Sequence, residues 1–182
     1  FRAALLRSVA NPAAVAGTGF TPTGPPNTNA RVTGDFGSNN PTSNAFSLYT
    51  GYAAFAAVNA TGTATPIRLY ARNGSSPNIL NSTSSPPFTE VTGGTPTASM
   101  PMAVTTPYRG TLTLQHTGSS IVLSFVITRV SDGAVMMSRT VTDAGASMTS
   151  FDTAAFYATF TSGATAYNLI FSDVEVSRSA TF

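Results

Sequence analysis

The sequence contains no cysteine and no lysine, and charged residues make up only 9% of its 182 positions. Without cysteine there can be no disulfides, thiolate metal sites or cysteine nucleophiles, and the redox compartment stays undecided. Without lysine the chain lacks Schiff-base chemistry, a phosphate-binding P-loop and the Lys–Asn isopeptide bonds that strengthen some surface adhesins. Any unusual toughness must therefore come from packing or from assembly.

The charges that are present are too dispersed for a nucleic-acid-binding surface. Arginines run from Arg2 to Arg178 and leave a net charge of +2, whereas nucleic-acid-binding proteins concentrate basic residues on one face. No apolar run approaches the roughly 20 residues of a membrane span. The chain starts at Phe1, and residues 1–8 are too short for a signal-peptide core. We expect an extracellular or cell-surface protein whose export signal is removed or lies outside this chain.

Alternating apolar and polar residues predict an uninterrupted antiparallel meander over residues 108–177. Its first strand places Leu112, Leu114 and His116 on one face, and the next turns apolar side chains inward at positions 121, 123, 125 and 127. This period of two marks strands with one buried and one solvent-facing side. Asp132-Gly133 predicts a hairpin, because this pair tolerates the positive φ angles of a type I′ turn.

The rest of the chain also predicts strands, separated by loops rich in proline and glycine. Residues 1–8 and 66–72 have strand patterns. Residues 46–58 fit a buried strand or a helix, and their neighbours favour a strand. The final strand, residues 166–177, needs a β-bulge near Ser172-Asp173 to keep its apolar side chains on one face. We therefore expect a single domain over residues 1–182, all-β, built as a two-sheet antiparallel β-sandwich.

Groups that could carry catalysis are scarce. His116 is the only histidine, and its position at a strand end beside a turn fits an ordinary surface residue. Among the seven acidic residues, Asp132 and Asp143 fall in predicted turns, while Asp173 and Glu175 point outward from the predicted last strand. Glycosidases need two carboxylates in one cleft, and the pattern indicates none. We expect no catalytic residue, no metal site and no cofactor.

One surface patch favours ligand binding. Arg68, Tyr70 and Arg72 alternate along a predicted strand, so their side chains share one face. An aromatic ring between two guanidinium groups can stack on a sugar or bind a carboxylate. The alternative is a solubilising outer face that protects the sheet from wrong pairing.

The order of these segments resembles concanavalin A-like (laminin-G-like) β-sandwich modules of large exported bacterial proteins. The resemblance implies a jelly roll of two packed sheets. Family members have further strands ahead of the segment that matches residues 1–8, and the calcium-and-sugar site of legume-type lectins has no matching Asp/Asn cluster here. The segments that carry the resemblance are Phe1-Arg-Ala-Ala-Leu-Leu, Gly51-Tyr, Leu69-Tyr-Ala-Arg, Tyr108-x-x-Thr-Leu-x-Leu-x-x-Thr-Gly, Asp132-Gly, Phe151-Asp-Thr-Ala-Ala-Phe and Phe171-Ser-Asp-Val-Glu-Val.

Two functions remain open. The first is a non-catalytic structural or adhesive module, a subunit of a self-assembling bacterial surface fibre, sheath or layer; the alternative is a carbohydrate-binding module of an exported polysaccharide-degrading protein. A glycan-cleaving enzyme is a distant third. Under the first hypothesis we expect self-association through sheet edges, with residues 1–6 donated as a strand to the neighbouring subunit. If the chain instead extends upstream, its own earlier strands would fill that edge.

Overall fold

The computed structural model describes residues 1–7, 49–57, 66–73, 80, 87–97, 102–103, 105–144, 146, 148, 150–157 and 175–177. Within these residues every regular element is a β-strand, and the strands form two antiparallel sheets of five and three strands. The strands are β1 (Arg2–Arg7), β2 (Thr50–Ala56), β3 (Ile67–Asn73), β4 (Phe88–Glu90), β5 (Tyr108–Thr117), β6 (Ser120–Arg129), β7 (Val135–Ala144) and β8 (Thr153–Tyr157).

The larger sheet has the order β4-β3-β2-β1-β8. In β2, residues 51–56 are all buried. A strand covered on both faces needs no polar alternation, which explains why its sequence also fitted a helix. β1 pairs with β2 on one side and with β8 on the other. Both edges of β1 are therefore paired with strands of its own chain. The prediction that residues 1–6 add a strand to a neighbouring subunit's sheet is wrong.

The smaller sheet is the three-stranded meander β5-β6-β7. Gly118 and Ser119 join β5 to β6, and Gly118 has the positive φ of 62° that a tight hairpin turn needs at that position. The meander predicted over residues 108–177 does not continue to β8, because β8 pairs with β1 of the other sheet. Period-two alternation identifies a strand but is the same in either sheet, so it does not show which sheet a strand joins.

The hairpin between β6 and β7 is present, but its turn is not type I′. Gly133 has a φ of 70°, whereas Asp132 is not among the described residues with positive φ. The loop is longer than two residues: the amide of Gly133 donates to the carbonyl of Arg129, and the amide of Arg129 donates to the carbonyl of Ala134. Asp132 also accepts a hydrogen bond from the Ala134 amide, so its side chain stabilises this wider turn.

The two sheets share one hydrophobic core. Phe125 lies on the central strand of the smaller sheet and is 1% exposed, which confirms the inward side predicted for β6. The register of β6 with β7 shifts between Ile127 and Thr128, and this lets two consecutive methionines, Met136 and Met137, both be buried. The buried members of this core are Ala3, Tyr52, Ala54, Ala56, Ile67, Leu69, Ile121, Leu123, Phe125, Ile127, Met136, Met137 and Val141.

A second buried cluster covers the opposite face of the larger sheet. It contains four aromatic residues and shares no residue with the first core. The larger sheet is therefore covered on both faces, whereas β5 and β6 alternate between buried or half-buried positions and more exposed ones. Its buried members are Ala4, Leu6, Tyr49, Ala53, Phe55, Tyr70, Leu80 and Phe88.

Part of the predicted architecture lies outside the described residues. This applies to most of the predicted strand over residues 166–177 and to the bulge near Ser172-Asp173. Residues 175–177 are described and belong to none of the eight strands. Glu175 is exposed, as expected, but Val176, which the bulge was expected to place on the core side, is 65% exposed, so that placement of Val176 is wrong.

Candidate functional site

The predicted ligand-binding patch lies on β3, but most of it is buried. Arg68 is exposed, whereas Tyr70 is 4% exposed and Arg72 is 1% exposed. The prediction that these three side chains form one exposed face is therefore wrong for Tyr70 and Arg72. Their ligand-binding role stays a prediction, and Arg68 is the only one of the three at the surface.

Tyr70 is buried because it belongs to a cluster of three aromatic rings from three neighbouring strands. Its ring centroid lies 4.7 Å from that of Phe55 and 6.0 Å from that of Phe88, and the Phe55 and Phe88 centroids are 5.2 Å apart. The rings are tilted or edge-to-face, which is the favourable arrangement for aromatic pairs. The cluster joins β2, β3 and β4.

Two arginines close this cluster from either side. The guanidinium carbon of Arg72 lies 5.4 Å from the centre of the Phe88 ring, and that of Arg2 lies 4.4 Å from Phe55 and 5.7 Å from Tyr157. Arg2 also donates a hydrogen bond to the carbonyl of Leu80. Burial lowers the pKa of Arg72 to about 10 and also lowers the pKa of Arg2. Arg72 therefore remains cationic at neutral pH, and both guanidinium groups pack against aromatic rings as cation–π partners.

Arg68 faces solvent beside this cluster. Its hydrogen bond to Tyr70 and, more weakly, the charge of Glu90 raise its pKa. The sequence could not separate Arg68 from Arg72, because both alternate with apolar residues on the same strand. The difference comes from β4, which pairs with residues 70–72 and sets Phe88 opposite Arg72, whereas Arg68 lies beyond the end of β4.

The sequence reasoning missed the main polar contact between the sheets, which is made by Arg139. Arg139 lies on β7 and is 6% exposed. Its guanidinium group contacts the larger sheet. It forms an ion pair with Glu90 at 2.9 Å, donates to the Ile67 carbonyl at 3.0 Å and donates to the Gly93 carbonyl at 3.0 and 3.3 Å. An arginine fork can serve several acceptors at once, so this side chain ties β7 to β3, β4 and the segment after β4.

A second polar contact joins the sheets through Tyr52 and Asp143. The Tyr52 hydroxyl donates to the Asp143 carboxylate at 2.7 Å. Burial, together with this hydrogen bond and charge, raises the pKa of Tyr52. Asp143 was predicted to lie in a turn, but it lies within β7. The residues around Asp143 are typical of turns, and this led to the wrong prediction. The side chain that Asp143 binds lies on β2, 91 residues earlier in the sequence, so the local pattern could not show it.

A third carboxylate, Asp132, stabilises the β6–β7 hairpin. Arg129 donates two hydrogen bonds to it, from Nε at 2.9 Å and from Nη2 at 2.5 Å. These bonds, with one from the Ala134 amide, lower the pKa of Asp132 to about 2. The pair is exposed, so it should hold the turn in place while adding little to the free energy of unfolding.

The remaining candidate for chemistry, His116, is an exposed residue near the end of β5. The structure places it where the sequence predicted, on a strand beside a turn. In the described part of the chain, no group of three or more His, Asp or Glu side chains is arranged to hold a metal ion. Among those same residues, no helix is long and apolar enough to cross a membrane.

Comparison of the chain with models of known protein families, with curated proteins and with solved structures gave no match. The resemblance to concanavalin A-like modules therefore stays a prediction.

Proposed function

We propose that the chain is a non-catalytic, extracellular structural or adhesive module, and that it is a subunit of a self-assembling bacterial surface fibre, sheath or layer. We further propose that its two sheets form a concanavalin A-like β-sandwich of the jelly-roll type. The observation that carries the functional proposal is how three of the five described carboxylates are used. Glu90, Asp132 and Asp143 each bind an arginine or tyrosine that fixes one strand or turn to another, whereas Asp152 and Glu175 are exposed.

These contacts favour a structural role because catalytic carboxylates work differently. A pair that cleaves a glycosidic bond must face the same substrate from two sides. Here Glu90 lies at one edge of the larger sheet, Asp132 at a hairpin tip and Asp143 between the sheets near Tyr52. Each of these three carboxylates is bound by an arginine or tyrosine of its own chain, which fits a structural role.

The surface composition supports the same proposal. The outward side of β5 presents threonine, glutamine and one charged residue, Arg109, and only 9% of the whole chain is charged. Charged groups on exposed strands are a common protection against edge-to-edge association. A surface with so few of them permits close contact between copies.

The carbohydrate-binding alternative has less support. It relied on a flat aromatic and guanidinium surface at Arg68, Tyr70 and Arg72, and two of these side chains are buried within the chain. A sugar cannot stack on the Tyr70 ring while Phe55 and Phe88 pack against that ring.

Two assays test the proposal. Purified chain is incubated with a panel of polysaccharides and is applied, as a monomer, to a glycan array. We expect neither hydrolysis nor specific binding. Hydrolysis that disappears in His116→Ala or Asp152→Ala would overturn the non-catalytic assignment, and tight binding that disappears in Arg68→Ala would favour the carbohydrate-binding alternative.

A further inference from the structure

The four sheet edges in the described part of the chain differ in how well they are protected. β4 has three residues and β8 has five, and short edge strands offer little template for pairing. The edge of β7 is approached by the segment after β4: the Thr97 amide donates to the Ser138 carbonyl at 3.0 Å, and the Ser138 amide donates to the Thr97 hydroxyl at 2.6 Å.

β5 has none of these protections among the described residues. It is ten residues long, contains no proline, and runs in unbroken register with β6 on one side. No other described strand pairs with its outer side. Seven of its ten residues are exposed, and just one of them, Arg109, carries a permanent charge. In an antiparallel pair every second residue turns its N–H and C=O away from its partner strand, so this outer edge is a row of donors and acceptors.

We propose that the outer edge of β5 binds β5 of a second copy of this chain, antiparallel and about a two-fold axis, to form one continuous six-stranded sheet. This inference rests on the proposed function, and it names the surface through which that self-association begins. A two-fold contact uses the same surface on both molecules, and identical antiparallel strands satisfy each other's hydrogen bonds symmetrically.

The side chains of β5 fit this orientation. Pairing centred near Thr113 separates the two Arg109 side chains by about 27 Å, since each strand residue advances about 3.4 Å. A parallel arrangement would instead set the two arginines side by side. The axis perpendicular to the sheet keeps the half-buried Leu112 and Leu114 of both copies on the same core side, where each pair extends the apolar face of the other.

The contact is small, so association should be weak and depend on concentration. A sheet edge buries less than the roughly 800 Å² per partner of a standard stable interface. A two-fold contact also closes on itself, so a fibre or layer needs one further contact between the resulting dimers.

The absence of cysteine allows a direct cross-linking test. Single cysteines are introduced at Thr111, Thr113 or Gln115, and each variant is treated with a short bis-maleimide at increasing protein concentration. We expect covalent dimers from this set, most efficiently at the position nearest the two-fold axis. Thr142→Cys is the matched control: it is an exposed threonine on β7, the other strand that flanks β6. Equal cross-linking of the control, or no cross-linking of the β5 set, overturns the proposal.

A charge variant separates this inference from the proposed function. Sedimentation velocity is compared for Thr113→Lys and Thr142→Lys, which add the same charge to the two flanking strands. We expect Thr113→Lys to weaken association at least tenfold and Thr142→Lys to leave it unchanged. If the chain associates but both variants behave alike, the β5 contact is wrong while self-assembly stands. If the unmodified chain stays monomeric at every concentration, both are wrong.

Discussion

Phe125 is a residue on which the core depends. It lies between the sheets, and its ring centroid is 6.0 Å from that of Phe1. Replacing it with alanine removes a buried ring and leaves a cavity, so we expect Phe125→Ala to lower the free energy of unfolding by about 3–5 kcal/mol. Val126→Ala, on the opposite side of the same strand, should cost clearly less. Urea unfolding of both variants measures the difference, and equal losses would mean that the side of β6 is assigned wrongly.

The two arginine–carboxylate pairs allow a matched comparison of burial. Arg139→Ala leaves Glu90 and two backbone carbonyls without this donor, and we expect a loss of about 3 kcal/mol in the free energy of unfolding. Arg129→Ala disrupts a pair with shorter contacts that is exposed, so its effect on unfolding should be much smaller. Chemical denaturation of both variants tests this order. A larger loss for Arg129→Ala would contradict the role of Arg139 in joining the sheets.

Tyr52 should make stability depend on alkaline pH. Its folded-state pKa is raised above the ordinary value of 10.0, so the folded state keeps the proton that the unfolded state releases. The stabilisation is fully present below pH 10 and is lost as the pH rises from there towards the folded-state pKa. We expect the free energy of unfolding to fall between pH 9 and 11 more steeply in the unmodified chain than in Tyr52→Phe. Identical pH profiles would mean that burial and the Asp143 contact do not raise the pKa of Tyr52 in the folded state.

For individual residues, the sequence predicted burial well on strands that have one face toward solvent. The inward positions of β6 followed from simple alternation, and all four are buried. Tyr70 and Arg72 were misplaced because alternation with apolar residues marks a second face without telling whether water or protein covers it. Their partners, Phe55 and Phe88, are distant in sequence, so only the register of β2, β3 and β4 brings them together.

The edge of β7 is covered by the segment that follows β4, and this cover requires the segment to approach β7 closely. Gly94 has a φ of 63°, and a Cβ placed there would lie 1.9 Å from the Thr140 carbonyl oxygen. We expect Gly94→Ala to push this segment away and to accelerate hydrogen exchange at the Thr97 and Ser138 amides. Gly133→Ala is the control, because Gly133 has a similar φ of 70° with open space around it. Unchanged exchange in Gly94→Ala would show that the segment does not need this approach.

The strands themselves were easier to predict than their partners. β1, β3, β5 and β6 were expected from their patterns, and β2 was correctly preferred over a helix. The position of β8 beside β1 could not be predicted, since period-two alternation reports which side of a strand is apolar and not which sheet it joins. The same limitation explains the strand-donation error: residues 1–6 have the features of an inserted strand, and they do insert, but between β2 and β8 of their own chain.

The whole molecule combines a fold held by contacts between its sheets with a surface suited to association. Arg139 and Tyr52 fix the smaller sheet to the larger one, and the outer edge of β5 is available, among the described strands, for a further strand. Stability within each copy and contact between copies therefore use different residues. Variants of β5 that weaken assembly should leave the unfolding of the monomer nearly unchanged.

Negative-stain electron microscopy of the native material tests the central claim most directly. If the chain is a subunit of a surface fibre, sheath or layer, the images should show ordered polymers with a regular repeat, and purified chain should form them again as its concentration rises. Dispersed single particles at every concentration would contradict the account.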